Sequence, residues 1–170
     1  REVSGLLQDA PKLRRLSAAA ADLIEKKFNF TDYVYDVLGY AGHRHRKVSV
    51  IIPNYNYERY LKLRIESVLR QTYPVYEIVF LDDASTDGSV RIAERYLGER
   101  PNAKIVRNET NSGSVFRQWM KGLEMAKGDL IWIAEADDFC EDTFLEKLVP
   151  AFEKNGDVVL AYCQSKQVDE

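Results

Sequence analysis

The chain has 170 residues, 45% of them hydrophobic and 30% charged, with a net charge of −3. A chain of this length can bury a full hydrophobic core, and this balance of apolar and charged residues excludes intrinsic disorder. The small acidic excess excludes a general nucleic-acid binder, which needs a basic surface to meet phosphate.

In chain order, residues 11–27 predict an amphipathic helix. Leu13, Leu16, Ala20, Leu23, Ile24 and Lys27 recur at three- and four-residue spacing, and Pro11 suits a first helical turn. An aromatic stretch follows, with Phe28, Phe30, Tyr33, Tyr35 and Tyr40 interleaved with Asp32 and Asp36. It ends in Gly39, Gly42 and the basic run His43-Arg44-His45-Arg46. Residues 1–46 are read as a helical and aromatic extension that packs on the following domain or contacts other domains. The His43-x-His45 pair sits in a basic linker and is read as solvated.

The pattern changes at Lys47, and residues 47–170 are read as one domain. Val48-Ser49-Val50-Ile51-Ile52 is a β-branched run stopped by Pro53, which predicts a buried strand. Residues 57–70 predict a helix with Leu61, Ile65, Val68 and Leu69 on one face. A second apolar strand, Glu77–Leu81, leads into Asp82-Asp83, and Ser85-Thr86-Asp87-Gly88 opens a helix through Leu97. Strands at 104–107, 129–134 and 158–162 alternate with helices near 115–126 and 143–152. Apolar strands alternating with helices predict an α/β fold, a Rossmann-like, mostly parallel sheet covered by helices on both faces. No run approaches the roughly 18 apolar residues of a membrane-spanning helix. Cys140 and Cys163 form neither a disulfide framework nor a zinc site, and they fit a reducing compartment, hence a cytoplasmic location. Starting at Arg1 and ending at Glu170, the chain is expected to be part of a longer protein, truncated on its C-terminal side. Any membrane association would come through the missing parts.

In an open parallel sheet, ligands bind beyond the carboxyl ends of the strands. The polar residues there are Pro53-Asn54-Tyr55-Asn56, Asp82-Asp83 and Glu135-Ala136-Asp137-Asp138. The acidic pairs fit helix caps or solvated turns. They also fit a metal site, because three carboxylates within four residues repel one another, and magnesium or manganese is held by one or two carboxylates with substrate phosphates. Tyr55 is placed to pack or to stack on a nucleobase. Arg117 and Lys121, one helical turn apart, either reach a phosphate or form a solvated face.

Six segments occur in order: Lys47–Asn56, Ser67–Pro74, Asp82–Ser89, Asn111-Ser112-Gly113, Ala126–Ile131 and Glu135–Asp138. Together they resemble the inverting family 2 glycosyltransferases with the A-type fold, over roughly residues 47–165. The resemblance implies a nucleotide-sugar donor, UDP-linked, and a saccharide, lipid-linked or other acceptor, with polysaccharide biosynthesis as the family habit. It implies a donor pocket from Pro53, Asn54, Tyr55, Asp82, Asp83, Arg117 and Asp137, with Asp83 accepting a hydrogen bond from the base. Asp138, with Asp137, would ligate a divalent metal, Mg2+ or Mn2+. Two positions depart from the pattern: Glu135 replaces the first aspartate of the Asp-x-Asp region, and Val115–Trp119 replaces an Ala-Arg-Asn run, which bears on Arg117. The general base of such enzymes lies well downstream, so it is expected beyond Glu170, and the chain mainly holds the donor. The alternatives are a non-catalytic binding or assembly module and a nucleotidyltransferase. The latter is disfavoured because Pro53-Asn54-Tyr55-Asn56 carries neither glycine nor a cation.

Overall fold

The computed structural model describes residues 9–27, 30–42 and 45–167. The chain divides into two compact units, Arg1–His45 and Arg46–Glu170. The first contains helices α1 (Ala10–Lys27) and α2 (Phe30–Tyr40), the second of which forms within the aromatic stretch. Phe28 and the His43-Arg44 start of the basic run lie outside the described residues.

The second unit alternates strand and helix: β1 (Val48–Asn54), α3 (Glu58–Leu69), β2 (Glu77–Asp82), α4 (Ser89–Leu97), β3 (Ala103–Arg107), α5 (Val115–Met125), β4 (Leu130–Ile133) and α6 (Phe144–Lys154). The four strands form one parallel sheet in the order β3-β2-β1-β4. All of β1 is buried, and β2 is buried from Ile78 onward, as central strands covered on both faces must be. Alternation along the strands divides the core. Val48, Val50, Ile52, Ile78 and Phe80 meet Leu61, Ile65 and Val68 of α3, Ala93 and Leu97 of α4, and Leu145 and Val149 of α6. Ile51, Val79 and Leu81 form a separate cluster, with Val106 of β3 and Met125 of α5 packed against it. On that face Gly122 lets α5 approach closely: a Cβ there would lie 2.5 Å from Cγ2 of Ile51.

Two expectations are corrected. Pro53 does not stop β1, which runs on to Asn54 paired with Asp82. The pairing with β4 ends at Ile51, and a residue without an N–H is tolerated where one neighbouring strand has run out. Residues 158–162 form no strand, and Val159, Leu160 and Tyr162 are exposed. An apolar run becomes a strand only beside a partner, and among the described residues the sheet ends at β4.

Candidate functional site

The chain steps from β1 outward through β2 to β3, then returns past β1 to lay down β4 on its other side. The crevice above the carboxyl ends at this reversal is where an open parallel sheet takes its ligands. A cavity of about 840 Å³ lies there. Pro53 to Tyr57, Asp83, Asn111, Gly113 to Val115, Gln118, Glu135 and Asp137 line it. Of the residues singled out in the sequence, Pro53, Asn54, Tyr55, Asp83 and Asp137 are on this wall; Asp82, Arg117 and Asp138 are not.

Asp82 and Asp83 are neighbours with different duties. Asp82 is 0% exposed. Its Oδ1 accepts from Nδ2 of Asn54 at 2.9 Å and its Oδ2 from the Ser85 amide at 3.0 Å. The same Asn54 nitrogen donates to Oγ of Ser85 at 3.0 Å, and that Oγ also accepts from the Asn56 amide at 2.9 Å. Asp82, expected at the donor pocket, thus ties the ends of β1 and β2 into one network and is not part of the cavity lining. Ala84, next after Asp83, has φ of 62°, a left-handed turn that an alanine adopts only under local strain.

Asp83 holds the opposite wall. Its Oδ1 accepts from Nδ2 of Asn108 at 2.6 Å and Nε2 of Gln118 at 2.8 Å. The Ser112 amide lies 2.9 and 3.0 Å from its two oxygens, and Oγ of Ser112 donates to Oδ2 at 2.7 Å. Four donors thus meet a carboxylate with about four lone-pair positions. Together they seat the Asn111-Ser112-Gly113 loop, where Gly113 takes a φ of 70°.

Arg117 points away. It is exposed, and its Nη1 donates to the Ser112 carbonyl at 2.8 Å. Gln118 and Gly122 instead occupy the buried face of α5, which places the amide of Gln118, not the charge of Arg117, at the cavity. Lys121 donates to Oδ1 of Asn108 rather than standing free toward a ligand.

The acidic loop after β4 is braced from two sides. Nε1 of Trp119 donates to Oε1 of Glu135 at 2.7 Å. From beneath, Arg64 of α3, only 3% exposed, donates from Nε to the Glu135 carbonyl at 2.7 Å. Its Nη2 lies 3.9 Å from Oδ2 of Asp138, and its guanidinium carbon 5.6 Å from the centre of the Trp132 ring. Burial pushes the Glu135 carboxyl above the usual range, against the hydrogen bond from Trp119, with the charges of Asp137 and Asp138 adding to the rise. The charge of Asp137, then burial, then the charge of Glu135 raise the Tyr57 hydroxyl. Three adjacent carboxylates predicted an uncompensated repulsion; Arg64 supplies a counter-charge that sequence reasoning missed. The signal was present, because position 64 lies three residues after Leu61 and four before Val68, on the apolar face of its helix.

Among the described residues no group of three or more His, Cys, Asp or Glu converges as a metal cage. Asp137 at the cavity wall and the Asp138 carboxylate, 72% exposed beside it, offer two carboxylates. That donor set fits magnesium or manganese shared between one or two carboxylates and substrate phosphates. No described helix is long and apolar enough to cross a membrane.

The pattern of the family described as "Glycosyl transferase family 2" matches residues 49–169. The "Glycosyltransferase GlyG" of Streptococcus pneumoniae serotype 4 is 34% identical over 114 residues, 66% of this chain and 38% of that protein. The "Poly(ribitol-phosphate) beta-N-acetylglucosaminyltransferase TarS" of Staphylococcus aureus (strain Mu50) is 33% identical over 117 residues, 67% of this chain and 20% of that protein. Among solved structures, residues 1–349 of S. aureus TarS in complex with UDP-GlcNAc superimpose with a TM-score of 0.59 at 32% identity, covering 64% of this chain and 31% of that one. The chain therefore spans well under half the length of these relatives.

Proposed function

Because this chain belongs to glycosyl transferase family 2, we propose that the cavity at its strand ends holds the nucleotide diphosphate of a sugar donor, UDP in the first instance. The observation that carries this reading is the cavity at the sheet's reversal point, with Asp83 and Asp137 both in its lining. The relative solved with UDP-GlcNAc supports the choice of uridine. In this reading Pro53, Asn54 and Tyr55 line the base and ribose end, and Tyr55, half exposed, offers its ring for stacking. A base with an N–H donor, as uracil has, takes the place of one of the side-chain donors now on Asp83. Asp82 and Arg117 act indirectly, Asp82 by tying the strand ends and Arg117 by bonding the Ser112 carbonyl.

Asp138, with Asp137, would hold a divalent metal at the diphosphate end. When bound, such an ion neutralises charge on a departing diphosphate. Glu135, engaged by Trp119 and lining the cavity, shapes the wall between the two ends. The reaction assigned to the full-length protein is sugar transfer with inversion to a saccharide, lipid-linked or other acceptor hydroxyl, in polysaccharide synthesis on the cytoplasmic side. None of the residues assigned above acts as the general base.

Isothermal calorimetry with UDP, GDP and dTDP, each with and without Mn2+, tests the reading. UDP is expected to bind tightest, and more tightly with Mn2+; no binding by any of the three refutes the donor site. Asp138→Ala is expected to remove the Mn2+-dependent part of UDP affinity with the fold intact.

A further inference from the structure

We propose that Arg64 is a positioning residue for the metal end of this site, a built-in counter-cation that seats the acidic loop from below. The inference rests on the reading of Asp137 and Asp138 as metal ligands.

A guanidinium keeps its charge at any pH a protein meets, and burying one without partners is strongly unfavourable. Arg64 is nonetheless 3% exposed, set among Leu61, Ile65 and Val68 on the inward face of α3. Its compensation comes from one neighbourhood: the Glu135 carbonyl at 2.7 Å, the Asp138 carboxylate at 3.9 Å and the face of Trp132 in β4. Cys140, farther along the same loop, adds a further contact to the guanidinium, so every partner of the group comes from β4 or the loop that follows it. If the loop lifted, it would leave a charge buried and unpaired. The loop is therefore held in place before any ligand arrives.

Lysine would keep the charge and lose the geometry. An ammonium lacks the planar fork with which the guanidinium bonds the Glu135 carbonyl, faces Asp138 and sits over the Trp132 ring.

The test compares wild type, Arg64→Lys and Arg64→Met by calorimetry with UDP, with and without Mn2+, and by spin-resonance titration of Mn2+ alone. Residues that orient metal ligands typically contribute ten- to a hundredfold to metal affinity. Both variants are expected to lose about tenfold or more of Mn2+ affinity and of the Mn2+-dependent gain in UDP binding, while metal-free UDP binding stays at the wild-type value. Failure of Arg64→Lys to rescue is the part that a charge role alone does not predict. A folded Arg64→Lys protein with wild-type Mn2+ enhancement overturns the proposal. Should Arg64→Met fail to fold, Arg64→Lys decides alone. Amide exchange of the metal-free wild type adds a test that needs no variant: the Asp138 amide, bonded to the Glu135 carbonyl at 3.2 Å, exchanging as fast as in an unfolded chain would also overturn it. If wild type itself shows no Mn2+ enhancement, the metal reading fails at its premise, which is a different result from enhancement surviving in the variants.

Discussion

Replacing Asp83 by Asn tests how much of the cavity wall depends on one charge. Four donors end on this carboxylate: Nδ2 of Asn108, the amide and Oγ of Ser112, and Nε2 of Gln118. Hydrogen bonds to a charged partner contribute about 1.5–3 kcal/mol each and neutral ones about 0.5–1.5, so the exchange weakens each contact by roughly 1 kcal/mol. The asparagine also turns an NH2 toward one of these donors. Against these losses, the neutral side chain removes the desolvation penalty of a buried carboxylate, which is of several kcal/mol before pairing. The balance is a net destabilisation of about 2 kcal/mol, or about 4–8 °C in Tm for a chain of this size. Urea unfolding followed by circular dichroism measures it. A midpoint unchanged from wild type would show that the Asn111-Ser112-Gly113 loop is seated by something other than Asp83.

Gly122→Ala should destabilise by about 1–2 kcal/mol despite the higher helix propensity of alanine, since the new Cβ meets the fully buried Ile51 side chain at 2.5 Å; a raised Tm would refute it. Tyr73 offers a pH test. Burial first, and the charge of Glu153 second, push its hydroxyl from 10.0 up to about 12. The folded state keeps this proton where the unfolded chain, ionising near pH 10, has lost it. The Tyr73 contribution is therefore complete below about pH 10 and declines as pH rises toward 12. Tyr73→Phe, which also removes the hydrogen bond to the Arg46 carbonyl, should flatten the slope of stability against pH in that window. An unchanged slope in chemical unfolding would refute the assignment.

The four parallel strands were legible because β1 and β2 are buried on both faces and their sequences are apolar without alternation. The same rule misread residues 158–162, since an apolar run records a preference for burial and says nothing about whether a strand edge is available. Asp82 and Asp83 could not be told apart by type. Successive side chains on a strand point to opposite sides, and only the sheet decides which side opens into the cavity. Gln118 was not legible for a related reason: its type is neutral, and only helical phase puts it, rather than its neighbour Arg117, on the inner face of α5. Arg64 was readable in principle, as a lone cation in phase with Leu61, Ile65 and Val68.

The strand order also bears on how the chain acquires its site in time. β1 pairs with β2 across a separation of 28 residues (Ser49 with Glu77), but with β4 across 82 (Val48 with Leu130). Closing the longer loop comes at a larger entropic cost and slows formation of such contacts. During synthesis the β1–β2–β3 half, with Asp83, can assemble while β4 is still being made. The acidic loop becomes part of the cavity only when β4 docks against β1. Fluorescence from Trp132, within β4, and from Trp119, bonded to Glu135, would then report this last step of refolding, after most of the parallel sheet has formed.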